Sequence, residues 1–183
     1  MKPVERNEIL DYVTYEESRQ QFRDRVMDVK RPRRIHLGEH LTLLFENAIT
    51  IRYQIQEMIR AERMVKEADI KHEVDTYNEL LGGDGEYGCT LLIEIDDAEH
   101  RNEKLRLWLG LPDKMYLLLE DGTRIWATSD ARQRGADRLS SVQYLKFDTG
   151  GRVPVAAGVD LPNFQTETHL TPEQHRALQE DAS

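Results

Sequence analysis

The stretch "YQIQEMIRAERMVKEADIKHEVDTYNEL", Tyr53 to Leu80, contains no glycine and no proline. Ile51, Ile55, Met58, Ile59 and Glu62 fall on one helical stripe, and Ile70, Glu73, Val74, Tyr77 and Leu81 on another. Between them lies the polar "VKEAD" (Val65 to Asp69), in which Asp69 can cap a second helix. A single helix over 48–81 would be long for a chain of 183 residues. The reading is therefore a helical hairpin, 48–81. A turn midway between Glu67 and Ala68 sets Glu62 level with Glu73, Met58 with Tyr77 and Ile55 with Leu80. Two carboxylates that close cannot both stay ionised unless a cation, an arginine or a shared proton joins them. A continuous helix would instead separate them by about 16 Å.

The flanks supply the rest of the fold. Thr14 and Glu17 have capping-box spacing and predict a helix over 14–31, with Tyr15, Phe22, Val26 and Val29 inward and Pro32 ending it. "RRIHLGEHLTLLFEN" carries β-formers on both sides of Gly38, as two short strands or one bent strand. Gly82 to Gly88 reads as a loop, its glycines free to take unusual backbone angles. A strand, "YGCTLLIEID", follows. Asp97 caps a helix carrying Leu105, Trp108 and Leu109, and "MYLLLEDGTRIWAT" is a hairpin signal with Asp121-Gly122 as a two-residue turn. "SVQYLKF" is a further strand in the strand-rich part, 86–150. Residues 153–170 look extended or irregular, with Pro154 and Pro162 limiting regular pairing, and Thr171-Pro-Glu-Gln174 opens a terminal helix over 171–181. Helices and strands are segregated. The fold class is α+β: an antiparallel or mixed sheet packed with a central helical hairpin and flanking helices, in one domain over 1–183.

The totals exclude several function classes. The net charge of −9 opposes general nucleic-acid binding. The one basic run, "KRPRR" (Lys30 to Arg34), is either an anion site or a solvated corner balanced by carboxylates. Apolar runs are too short to span a bilayer, and "MKPVERNEIL" lacks a secretory stretch. A single cysteine, Cys89, allows no intrachain disulfide and fits a reducing, cytoplasmic setting; mid-strand, it reads as an inert buried thiol. No phosphate-cradling lysine loop, dinucleotide fingerprint or nucleophile elbow is present. "HEVDT" starts like a zinc-protease helix but lacks the second histidine, and His36 and His40 are separated by Gly38.

"LTLLFENAITIRYQIQEMIRAERM", followed by "HEVDTYNELL" and "TLLIEI", resembles a bacterial family, domain-of-unknown-function family 3501. The resemblance runs from "KRPRR" through "VQYLKF". Its marked positions match Phe45, Glu46, Asn47, Gln54, Gln56, Glu57, Met58, Arg60, Glu62, Glu73, Tyr77, Asn78, Thr90 and Glu94. Where the family typically has a proline after the second helix, this chain has Gly82-Gly83. The resemblance assigns no activity. It implies, by association alone, a place near peroxide or redox metabolism, with an iron–sulfur oxidoreductase or rubrerythrin-like partner. It also implies a polar network of Glu46, Asn47, Gln54, Arg60, Tyr77, Asn78 and Glu94, since polar groups buried together must satisfy one another.

Two readings follow from different classes. One is an accessory, partner-binding protein. The other is a metal-binding protein or metal-dependent enzyme holding iron, manganese or zinc on Glu57, Glu62, His72 and Glu73, although the Glu-x-x-His pairs of a di-iron bundle are incomplete here.

Overall fold

A computed structural model describes residues 1–130 and 135–182. Two antiparallel sheets share one core, and a helical hairpin with the N-terminal segment builds a second. The chain enters through a short 3-10 turn into α1 (Tyr12–Lys30). Its cap is Asp11 rather than Thr14: the Asp11 carboxylate accepts the backbone N–H groups of Val13 and Thr14, and the Thr14 hydroxyl donates to it as well. An acidic side chain three residues earlier outcompetes the hydroxyl because a charged acceptor binds orphan N–H groups more strongly.

β1 (Arg34–Leu37) and β2 (Leu41–Phe45) are two strands, joined through Gly38 in the left-handed region at φ 62. With β3 (Glu86–Ile93), β7 (Val142–Asp148) and β6 (Thr128–Ser129) they form a five-stranded sheet in the order β1-β2-β3-β7-β6. β5 (Arg124–Trp126), β4 (Met115–Leu118), β8 (Ala156–Leu161) and β9 (Phe164–His169) form the four-stranded sheet. Leu43 lies opposite Leu91 and Cys89 opposite Leu145, and these side chains meet Met115, Leu117 and Val159 of the other sheet in one cluster. Strand alternation then turns Thr42, Leu44 and Thr90 to the other face.

Residues 153–170 are extended rather than irregular, and the pairing is regular: they hold the β8–β9 hairpin, with Pro162 in its turn and Pro154 ahead of it, so neither removes a ladder hydrogen bond. The β4–β5 turn places Glu120 and Asp121 at its centre, with Gly122 following at φ 83, and the Gly122 N–H donates to the Leu119 carbonyl. It is a three-residue loop rather than a two-residue one.

α2 (Ala48–Glu62) and α3 (Glu67–Asn78) are the helical hairpin. Ile51, Ile55, Ile59, Ile70 and Val74 pack with Val4 and Ile9 in a core separate from that of the sheets. α2 stops at Arg63, which adopts φ 48 while the Met64 N–H donates to the Ile59 carbonyl; α3 is capped at Lys66, not Asp69. α1 lies along α2, and α4 (Ala98–Leu107) and α5 (Pro172–Asp181) carry the Asp97 and Thr171 caps read from the sequence. In the 82–88 segment only Gly85 has positive φ. Gly82 and Gly88 serve close packing: a Cβ on Gly88 would lie 2.0 Å from the Leu80 carbonyl oxygen, and one on Gly82 2.2 Å from that of Glu86.

Candidate functional site

The turn position decides what the two hairpin carboxylates face. With α2 ending at Glu62 and α3 beginning at Glu67, the centre lies between Met64 and Val65, which levels Ile59 with Ile70 and Ile55 with Val74. All four are buried. Glu62, by contrast, is exposed at the end of α2, His72 is exposed on α3, and Glu73 is half-buried beside Tyr77. Glu57 is fully engaged elsewhere. Its Oε1 accepts the Tyr15 hydroxyl and Arg19 Nε, both at 2.8 Å, and its Oε2 accepts Arg19 Nη2 at 2.9 Å. The Arg19 guanidinium holds the Glu57 carboxyl below the usual range against the opposing effect of burial, with Tyr15 adding to it. The structure thus does not bring Glu57, Glu62, His72 and Glu73 together. Among the described residues, no group of three or more His, Cys, Asp or Glu side chains is arranged to hold a metal ion.

The polar positions resolve into separate clamps rather than one network. Glu46 is buried, and its two oxygens accept the Thr50 hydroxyl at 2.5 Å and the Thr90 hydroxyl at 2.6 Å, tying α2 to β3. Asn47 caps α2 through the Ile49 and Thr50 N–H groups and donates to Asp181 at 3.2 Å. Asp181 also receives Arg33, Nε at 2.7 Å and Nη2 at 2.9 Å. Asn78 bonds both the N–H and the carbonyl of Val4. Glu94 accepts the Thr42 hydroxyl at 2.6 Å; having spent its only hydrogen, that hydroxyl accepts from His36 Nδ1 at 2.9 Å. Arg60 pairs with Glu16, and Gln54 and Tyr77 are half-buried. Each clamp joins segments far apart in sequence, except the cap itself. Arg19, Tyr15 and Asp181 were not legible as site residues, and Arg33 was legible only as part of the basic run, because their partners lie 38 to 148 positions away. Cys89 is buried; burial pushes its thiol well up, and Glu46 adds to this.

What remains uncommitted lies between α1 and α2. A cleft of about 370 Å³ there has an apolar wall of Leu10, Tyr15 and Phe22 and a polar side of Ser18, Gln21 and Gln56. Its cations are Arg25 and Arg52, and no acidic residue lines it. Gln56 is spent on the Leu10 backbone, which it bonds through both amide atoms, and Ser18 donates to the Tyr15 carbonyl. Arg52 lies over the Phe22 ring, Cζ 5.3 Å from its centroid. Its Nε is buried without a hydrogen-bond partner, and neither arginine has a carboxylate partner among the described residues. In a chain with 34 acidic and 25 basic residues, two arginines facing one cleft unpaired is an arrangement that an anion would complete.

These features define an α+β protein of two antiparallel sheets with a helical layer that carries a cationic cleft. The chain belongs to the family described as protein of unknown function (DUF3501), whose pattern matches residues 3–182. It is similar to a novel protein of unknown function from Burkholderia pseudomallei K96243, known as a crystal structure. The two share 29% identity over 98% of this chain and 99% of that one, with a TM-score of 0.90. No curated protein matches. Among the described residues no helix is long and apolar enough to cross a membrane.

Proposed function

We propose that this protein binds a small amphipathic anion, a carboxylate or phosphate with an apolar body, in the cleft between α1 and α2. The observation that carries this is the buried, unpartnered Nε of Arg52 on the cleft wall. A charged donor left unsatisfied costs at least about 1–3 kcal/mol, and an anion held against the same guanidinium offsets that cost with charge-assisted hydrogen bonds. Leu10, Tyr15 and Phe22 supply apolar contact for the rest of the ligand, and the cleft volume lies in the range of small-molecule sites. Binding of this kind is compatible with the accessory role near redox metabolism implied by the family resemblance, without resting on it.

Thermal shifts with octanoate, octyl phosphate and octanol test the reading. A ligand at about one hundred times its Kd stabilises by about 2.7 kcal/mol, a shift of about 5–10 °C for a chain of this size. The two anions are expected to stabilise the protein and octanol is not. Arg52→Met keeps the stem over Phe22, removes the orphan donor, and is expected to fold normally without responding to the anions. Equal shifts with octanol, or an undiminished response in Arg52→Met, would overturn the proposal.

A further inference from the structure

Two cations, not one, face the cleft between α1 and α2, and they come from opposite helices. Arg52 stands on α2 and lies over the Phe22 ring, Cζ 5.3 Å from its centroid. Arg25 stands on α1 three residues after Phe22, one turn along the same face as Ser18, Gln21 and Phe22. Both guanidinium groups therefore border the same ring. The acids on these helices are committed elsewhere: Glu57 to Arg19, Glu16 to Arg60, Asp28 to Arg31, and Asp24 accepts from Gln20. No carboxylate lines the cleft to oppose a second negative charge. Gln21, also on the cleft, makes no hydrogen bond with any described residue.

We infer, resting on the anion reading of this cleft, that its ligand is a phosphate monoester with an apolar body, bound as the dianion. A carboxylate brings one negative charge, which Arg52 satisfies while Arg25 stays without a counter-charge. A phosphate monoester carries about −1.5 to −2 at pH 7 and presents three terminal oxygens. The Arg52 fork, its buried Nε and a terminal nitrogen, suits two of those oxygens, as guanidinium groups bind phosphate bidentately. Arg25 and the Gln21 amide, on the facing helix, supply donors for the third. The second charge is what Arg25 adds to the specificity. Leu10 and Phe22 then border the esterified group, which separates this ligand from inorganic phosphate.

The test is calorimetric titration of the full chain at pH 7.5 with octyl phosphate, methyl octyl phosphate, octanoate and inorganic phosphate, each amphiphile below its micelle concentration. The methyl diester keeps the phosphorus and the octyl chain but carries a single charge. Octyl phosphate is expected to bind about tenfold more tightly than the diester or octanoate, the gain of one charge-assisted contact, and inorganic phosphate far more weakly. Arg25→Met, at an exposed position, is expected to unfold at the wild-type urea concentration. It should bring octyl phosphate down to the affinity of the diester and leave octanoate within about twofold. Equal affinity for octyl phosphate, the diester and octanoate would overturn this inference and leave the anion reading standing; no binding of any of them would overturn both. A preference for octyl phosphate that survives in Arg25→Met, or inorganic phosphate binding as tightly as the ester, would also overturn the inference. Vesicles containing phosphatidic acid distinguish a membrane headgroup from a soluble ester: recruitment to them without binding of soluble octyl phosphate would count against it in the same way.

Discussion

Replacing Asp181 by leucine leaves the Arg33 guanidinium buried with its strongest partner gone. The two side chains are 8% and 9% exposed and joined by parallel hydrogen bonds of 2.7 and 2.9 Å. Arg33 keeps only two carbonyls, Val29 at 2.8 Å and Ala177 at 3.4 Å, and Asn47 loses its contact with the Asp181 carboxylate. Neither carbonyl neutralises the charge. Breaking a buried pair on one side costs about 3–5 kcal/mol, whereas replacing both partners by apolar groups of similar size costs little. At about 2–4 °C per kcal/mol, Asp181→Leu should lower Tm by about 6–20 °C, while Arg33→Met/Asp181→Leu recovers most of the loss. Urea unfolding of the wild type, both single variants and the double variant gives the coupling directly. A cost for Asp181→Leu below about 1 kcal/mol, the value of an exposed pair, would refute the reasoning and return Arg33 to solvent.

Glu57→Gln should cost about 2 kcal/mol by weakening its charge-assisted bonds to Arg19 and Tyr15. Because the folded carboxyl lies below the ordinary 4.5, its stabilisation is present above that pH and is lost as pH falls through the folded value; acid titration of stability should be flatter in Glu57→Gln. Arg63→Gly should stabilise the protein by about 1 kcal/mol in urea unfolding, since φ 48 costs an L side chain and not glycine. Glu62→Gln/Glu73→Gln should change stability by less than about 0.5 kcal/mol, as for surface positions outside any clamp; a large gain would show the two carboxylates repelling each other after all. Cys89 should resist thiol reagents until the protein unfolds, and rapid labelling of native protein would contradict its buried placement.

The hairpin was legible because isoleucines at helical spacing leave little alternative, but its register was not. Nothing in the sequence marks Arg63 as a left-handed residue, a position where glycine would have announced the stop. The turn therefore comes three residues earlier than expected, and Glu62 moves from the seam to solvent. β8 was legible only as an extended or irregular stretch because Ala156, Ala157 and Gly158 are poor strand formers in isolation. The Tyr116 ring lies where a Cβ on Gly158 would be, 2.4 Å from its hydroxyl oxygen, and that cross-strand packing is a tertiary fact. The basic run at Lys30 to Arg34 was visible as charge, yet its members have different fates: Arg31 pairs with Asp28, Arg33 is locked to Asp181, and Lys30 turns inward. The cleft was the least legible feature, since it depends on carboxylates that do not approach Arg25 and Arg52. A sequence lists partners and cannot list their absence.

Whether the cleft between α1 and α2 takes an anion through Arg52 is decided by isothermal titration of octanoate into the wild type and Arg52→Met at matched ionic strength. Saturable binding at equal stoichiometry of ligand and chain is expected, weakened about tenfold or more in the variant, with octanol giving no comparable heat. Equal affinity in the two proteins, or no saturable heat in the wild type, would contradict it.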